Sequence, residues 1–198
     1  MKLEAIRNFF DQRASVWDEV NERNEDHIRR ILDAAKIGEG NRVLDVACGT
    51  GVLILDYLAR GAELVVGVDI SSEMIRIAKS KITDPRVMFI NDDIDNIGEG
   101  FSFDRVMVYN AFPHFVDPKE LIRKISGIVK PGGTVTIAHG ASREDINACH
   151  SELTREIAVD LIPADEVAGL FDESIEITTV TDSDVYIVSG RKKNLPQS

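Results

Sequence analysis

Apolar positions along the chain switch between two spacings. From residue 3 to residue 36 they recur every three or four positions, at Ile6, Phe9 and Phe10, then Val16, Trp17 and Val20, then Ile28, Ile31 and Leu32. That spacing predicts helix with one buried face. Gly38 and Gly40 close the helical region. Short β-rich runs follow at 42–47 (RVLDVA), 64–69 (LVVGVD), 87–91 (VMFIN), 103–109 (FDRVMVY) and 134–138. Helical spacing returns between them. One helix leaves the Gly49-Thr50-Gly51 turn and runs to about residue 60. A second is capped by Ser71 or Ser72, with Met74, Ile75 and Ile77 inward. A third opens at Asp117-Pro118, an N-cap followed by an N1 proline, and runs to about residue 129. Asp84-Pro85 and Pro131-Gly132-Gly133 mark turns. Further helices are predicted at 143–157 and 165–171. A closing hairpin is predicted at 175–180 and 186–189, with Asp182-Ser183-Asp184 as its turn. Strands alternating with helices predict an α/β fold around a mainly parallel sheet.

The chain has 198 residues, 43% of them apolar, which suits one globular domain. The expected division is a helical segment at 1–38, a core at 39–191 and a tail at 192–198. Lys plus Arg number 23 and Asp plus Glu 34, a formal charge of −11. Such an acid excess repels phosphate backbones and anionic lipid, so nucleic-acid and membrane-surface binding are disfavoured. Arg29-Arg30 and Arg191-Lys192-Lys193 are too short to make a basic patch. Cys48 and Cys149 cannot build a disulfide framework or a thiolate zinc site. No apolar run approaches the ~20 residues that span a bilayer, and Met1-Lys2-Leu3-Glu4 does not open a signal peptide. The expectation is a cytoplasmic monomer or homodimer acting on a small molecule.

The sharpest chemical signal is 43–51, VLDVACGTG. Glycines at a strand end let the backbone approach a ligand where a Cβ would collide, and the following helix start offers N–H donors. The dinucleotide fingerprint needs a third glycine; counted from Gly49, the sixth position is Ile54. Asp45 would also repel a pyrophosphate, whereas an acid there suits a cationic ligand. These two features argue against a nicotinamide-dependent oxidoreductase. Asp69 ends the second strand, where an acid can hold both hydroxyls of a ribose. Asp93 and Ile94 follow the third, where a carboxylate can accept from an exocyclic amine and an apolar neighbour can pack on a ring. Any one of these is ordinarily a solvated strand-end acid; three on successive strands form a pattern.

The pattern resembles the class I S-adenosylmethionine-dependent methyltransferases over about residues 40–140. The matching motifs are VLDVACGTG (43–51), GVDIS (67–71), FINDDIDNI (89–97), FDRVMVYNAFPHF (103–115) and VKPGGTVTIA (129–138). The resemblance implies a Rossmann-like three-layer α/β/α sandwich. Its seven-stranded sheet would have the order 3-2-1-4-5-7-6 and one antiparallel strand. It implies S-adenosylmethionine as methyl donor and S-adenosylhomocysteine as product. Asp45, Ala47, Cys48, Gly49 and Gly51 would then face the methionine part, with Asn110 at the same end. Asp69 would take the ribose, Ile70 would pack on adenine, and Asp93 with Ile94 would read the adenine edge. Relatives usually place glycine before the adenine-facing acid; here Asn91-Asp92-Asp93 leaves Asp92 and Asp93 both open to that role. Residues 9–20, FFDQRASVWDEV, resemble the segment before the core of ubiquinone and menaquinone methyltransferases. That likeness implies a lid carrying Phe10 and Trp17; the plain reading is an amphipathic helix packed on the domain. Past residue 139 the substrate-side pattern of the quinone enzymes is missing.

A methyl group on sulfonium is already activated, so the protein's task is in-line positioning of the acceptor. A base helps only where the acceptor must lose a proton. His114 follows the fourth strand and His139 the fifth, with Tyr109 beside the cleft. Arg143, Asn147 and His150 stand at i, i+4 and i+7 of a predicted helix. The expectation is one polar pocket in which Arg143 recognises an anionic or polar acceptor and a histidine takes a proton. The alternative for each is a polar side chain bonded to backbone. No local pair such as His-x-x-x-His supports a metal on His114, His139 and His150, so none is assigned. His27 reads as a surface residue. The expected function is methyl transfer to a small molecule; the rival is a regulatory protein that binds the donor without turnover.

Overall fold

A computed structural model describes residues 3–20, 23–98, 100–149 and 156–194. The strands are β1 Arg42–Val46, β2 Leu64–Asp69, β3 Val87–Asn91, β4 Phe103–Tyr109, β5 Val129–His139, β6 Ile175–Asp182 and β7 Tyr186–Lys192. They form one sheet in the order β3-β2-β1-β4-β5-β7-β6. β1 to β5 pair in parallel, and β7 lies antiparallel between β5 and β6. The architecture is the Rossmann-like sandwich, in the strand order that the resemblance implied.

Alternation along each strand builds two apolar layers. Leu44 and Val46 of β1 face a core that includes Val106, Val108, Ile122 and Ile125. Val43 faces the other, with Ile31, Leu53, Ile54 and Tyr57. Asp45 alternates with Leu44 and Val46, so it shares the face of Val43 and is buried.

The helical region at the start divides into α1 Leu3–Arg13, a 3-10 turn Ala14–Val16, α2 Trp17–Val20 and α3 Glu25–Ala34. Asn24 starts α3 afresh, its side chain accepting from the N–H groups of Asp26 and His27. The remaining helices are α4 Ile54–Ala59, α5 Ser72–Lys81, α6 Pro118–Ile128, α7 Arg143–Cys149 and α8 Ala164–Ala168. Ser71 caps α5 through the N–H of Met74, and Asp117 caps α6. Ala78 is buried on α5 while Ile77 is only half-buried. Residues 156–157 form a turn, not the end of a long helix, and 150–155 of the predicted helix lie outside the described residues. β5 starts earlier than expected: Val129 pairs Phe103 before the register shifts to Thr134 opposite Arg105. Gly133 permits that irregularity, since a Cβ there would stand 2.7 Å from the carbonyl of Asp104. Lys192 still pairs with Ile175, and the Lys193 N–H donates to Ser174 at 2.8 Å.

Candidate donor and acceptor site

The turn after β1 is built from left-handed backbone. Ala47 has φ 55°, Gly49 55° and Gly51 83°. Only glycine adopts this region without penalty, so Ala47 holds a conformation that costs roughly 1–2 kcal/mol. At Gly51 an added Cβ would stand 2.7 Å from Ile82. At Gly49 it would project toward the Trp17 indole nitrogen at 3.8 Å and the Met74 sulfur at 4.0 Å. Gly51 thus serves packing, whereas Gly49 borders open space under the N-terminal segment.

Asp69 ties the turn to β2. One carboxylate oxygen accepts from the Gly49 N–H and the other from the Ser71 N–H, each at 2.8 Å. Burial pushes the Asp69 carboxyl up to about 6, against those two hydrogen bonds. Asp45 lies deeper, and burial pushes its carboxyl up to about 8; the Tyr57 hydroxyl opposes that rise and the charge of Asp69 adds to it. Asp45 is therefore largely protonated at neutral pH, and an incoming cation would favour its ionised form.

These residues border a cavity of about 540 Å³ at the carboxyl edge of the sheet, within the roughly 300–1,000 Å³ common for small-molecule sites. Every residue assigned to the donor lines it: Asp45, Ala47, Cys48, Gly49, Gly51, Asp69, Ile70, Asp93, Ile94 and Asn110. Asp92 lines it too, so geometry leaves both acids available. Asp93 turns one oxygen to the Asp95 N–H, and Asp92 accepts from Asn96. Asn110 holds φ 52° and accepts from the Gly140 N–H at 2.9 Å, joining the ends of β4 and β5.

The N-terminal segment covers the cavity. Phe10, Trp17 and Asp18 line it. Phe10 meets Trp17 edge-on at 5.4 Å and His114 at 5.0 Å. Asp18 accepts from Thr50 Oγ1 and from Lys81 Nζ, both at 2.5 Å. Asp11 accepts from Ser71 Oγ at 2.6 Å and from the Glu73 N–H at 3.1 Å. The two acids therefore fasten the segment to the glycine turn and to the start of α5. Asp11 and Arg23 were not singled out from the sequence. The visible signal for Asp11 was its place directly after the aromatic pair Phe9-Phe10; Arg23 gave none.

The proposed polar pocket does not assemble among the described residues. His114 and Tyr109 line the cavity; His139, Arg143 and Asn147 do not. Pleat alternation puts His139 on the face opposite Ala138, where its ring meets Tyr186 edge-on at 5.8 Å. Arg143 is held by Asp182 and Glu144, each at 3.0 Å. Asn147 bonds both main-chain groups of Leu161, at 2.7 and 3.1 Å. His150 lies outside the described residues. His27 is not a surface residue: its side chain is 16% exposed, with Nδ1 2.8 Å from the Gly140 carbonyl. Among the described residues no three His, Cys, Asp or Glu side chains are grouped to hold a metal.

His114 has a defined tautomer. Its Nδ1 lies 2.9 Å from the Ile157 carbonyl, which only accepts. Nδ1 must therefore carry the hydrogen, and the neutral ring has its lone pair on Nε2.

Residues 43–133 match the family described as Methyltransferase domain. The demethylmenaquinone methyltransferase of Clavibacter sepedonicus is 29% identical over 139 residues, covering 67% of this chain and 56% of that protein. The chain spans about half the length of the curated relatives it matches. Among solved structures, one chain comes from the complex of the Haloferax volcanii Trm112 methyltransferase activator with a methyltransferase. It superposes with a TM-score of 0.81 at 20% identity, over 98% of this chain and 100% of that one. The magnesium protoporphyrin IX methyltransferase of Synechocystis, solved with S-adenosylhomocysteine, gives 0.71 at 18% identity, over 97% and 100%. Residues 43–133 are thus similar to the methyltransferase domain, and the solved methyltransferase structures share the chain's fold.

Proposed function

We propose that this chain transfers the methyl group of S-adenosylmethionine to a small molecule. The observation that carries the reading is the junction of Asp69 with Gly49 at the edge of a cavity lined by every residue assigned to the donor. Asp69 keeps lone pairs beyond its two backbone bonds, so it can also accept from ribose hydroxyls. Ile70 and Ile94 supply apolar faces for the adenine, and Asp92 or Asp93 accepts from its amine. Asp45 and the left-handed turn receive the methionine end, where positive charge is favoured.

Catalysis then rests on positioning. The acceptor's lone pair attacks the methyl carbon, the carbon–sulfur bond breaks, and its electrons stay on sulfur as a neutral thioether. Phe10, Trp17 and His114 form the wall that excludes water from that line, and His114 Nε2 accepts the proton when the acceptor must lose one. His139, Arg143 and Asn147 act as scaffold. The proposed unit is one domain over 1–198, with 1–38 as lid, 39–191 as core and 192–198 as tail, in a cytoplasmic protein; among the described residues no helix is long and apolar enough to cross a membrane.

Calorimetric titration with S-adenosylmethionine, S-adenosylhomocysteine and NADH tests the donor. Binding of the first two supports the proposal, and binding of NADH alone reverses it. Incubation with labelled donor and a metabolite extract then separates an enzyme, which yields a labelled product, from a binder without turnover.

A further inference from the structure

We infer that the methyl acceptor is a hydrophobic amine, and that the cavity rejects anionic acceptors. The inference rests on the methyl-transfer reading of the same cavity and adds the class of its second substrate.

The first observation is apolar. The wall facing the donor turn is made by Phe10, His114 and Phe115, with Ile6 behind them. Three large apolar side chains lining the cavity stay exposed, Leu3 at 41%, Leu55 at 61% and Val116 at 56%. Apolar groups left in water around the mouth of a cavity favour an apolar body entering there.

The second observation is electrostatic. Eight acidic and two basic residues line the cavity among the described residues; burial keeps Asp45 largely protonated at neutral pH, and Asp18 and Glu120 are ion-paired with Lys81 and Arg123. Both cations are already engaged. Arg23 is held by Glu25 and Asp56, each at 2.6 Å, and Lys81 by Asp18 at 2.5 Å. Arg143, the cation expected to receive an anionic acceptor, is turned away to Asp182 and Glu144. Beside Val116 stand Asp117, bonded to the N–H groups of Lys119 and Glu120, and Glu120, held below its ordinary value by Arg123. The Arg123 bond favours the charged form of Glu120, and Asp117 places a second carboxyl group beside it on the rim. An anionic acceptor would meet like charge with no cation to receive it; an ammonium would be attracted.

The chemistry is consistent with that field. An amine enters protonated, loses one proton to solvent or His114, and its lone pair displaces the thioether from the methyl carbon. Positive charge passes from sulfur to nitrogen, so the surrounding carboxylates stabilise it throughout the transfer. The methylated ammonium then releases a second proton or leaves charged.

The test uses the full chain saturated with S-adenosylhomocysteine and three probes of one shape: phenethylamine, phenylacetate and phenethyl alcohol. Calorimetry is expected to show phenethylamine binding at least about tenfold tighter than phenylacetate, with the alcohol between them. Butylamine should bind weaker than phenethylamine, which reads the apolar wall. Asp117→Asn with Glu120→Gln, in which Asn keeps the helix cap, should shrink the amine's advantage several-fold. Phenylacetate binding as well as the amine overturns the inference, as does failure of phenethylamine to bind while S-adenosylhomocysteine does. Failure of S-adenosylhomocysteine itself to bind removes the methyl-transfer reading, and this inference with it.

Discussion

Trp17 stands over Gly49, its indole nitrogen 3.8 Å from where a Cβ on that glycine would lie. The N-terminal segment thus meets the donor turn directly. Trp17 is also the sole tryptophan of the chain, so its emission reports on the cavity. Saturating S-adenosylhomocysteine is expected to change the fluorescence, and Trp17→Phe to abolish the signal while binding persists by calorimetry. Trp17→Ala should weaken binding by about tenfold, a loss of about 1.4 kcal/mol. Emission that stays unchanged at saturation counts against the lid.

The two glycines of the turn separate conformation from ligand contact. Gly49→Ala imposes a φ of 55° on alanine, a cost of roughly 1–2 kcal/mol, and puts a methyl at the cavity. Its loss of S-adenosylhomocysteine affinity should exceed its loss of stability. Gly51→Ala adds a contact of 2.7 Å with Ile82 and should lose stability first, by roughly 1–3 kcal/mol. Urea melts and calorimetry on both variants decide; equal effects on binding and stability at Gly49 argue against a ligand there.

The buried acids set a pH dependence with a definite sign. The Asp45 carboxyl, ordinarily near 3.8, stands near 8 in the folded chain. Folding therefore favours its protonated form. The contribution is fully present below 3.8 and is lost as pH rises through 8, a fall of several kcal/mol across that window. Asp69 adds a smaller fall between 3.8 and about 6. Asp45→Asn should flatten the decline in thermal melts. A cationic donor favours the ionised form, so S-adenosylmethionine should bind tighter as pH rises from about 6 to about 8. It should also release protons, as read by calorimetry in buffers of different ionisation enthalpy. A variant with the wild-type pH profile argues against Asp45 as the responsive group.

His114 should act on turnover and not on donor uptake. His114→Gln is expected to lower kcat by about a hundredfold or more while leaving S-adenosylhomocysteine affinity within a few-fold. The pH–rate profile should lose its acidic limb. Retained turnover with an unchanged profile removes the proton-acceptor role.

Asp18 is 44% exposed at its side chain, so its bonds to Lys81 and Thr50 are worth at most about 1 kcal/mol each. Asp18→Ala should leave the melting temperature nearly unchanged yet speed tryptic cleavage at Arg13. Cleavage at the wild-type rate shows that the aromatic contacts and Asp11 hold the segment without Asp18.

The alternation of Leu44 and Val46 with Asp45, the glycines of the turn and the acids ending β2 and β3 were legible because each depends on neighbours a few positions away. A period of two assigns a face, and a left-handed position selects glycine. The donor half of the cavity rests on such local rules, and the caps Ser71 and Asp117 do likewise. The acceptor half does not. His139 and Arg143 sit near the expected edge in sequence, but the pleat of β5 sends His139 toward Tyr186, and Asp182 from the far hairpin takes Arg143. No local pattern shows either partner.

The sequence by itself determined the fold, the strand order by resemblance, and the glycines and strand-end acids that line the cavity, since periodicity, turn chemistry and strand-end acids are short-range properties. The tertiary structure decided which segment covers the cavity, that Asp11 and Asp18 fasten it, and which polar residues line it. Those outcomes depend on contacts between groups distant along the chain, where packing and charge pairing select one partner among many.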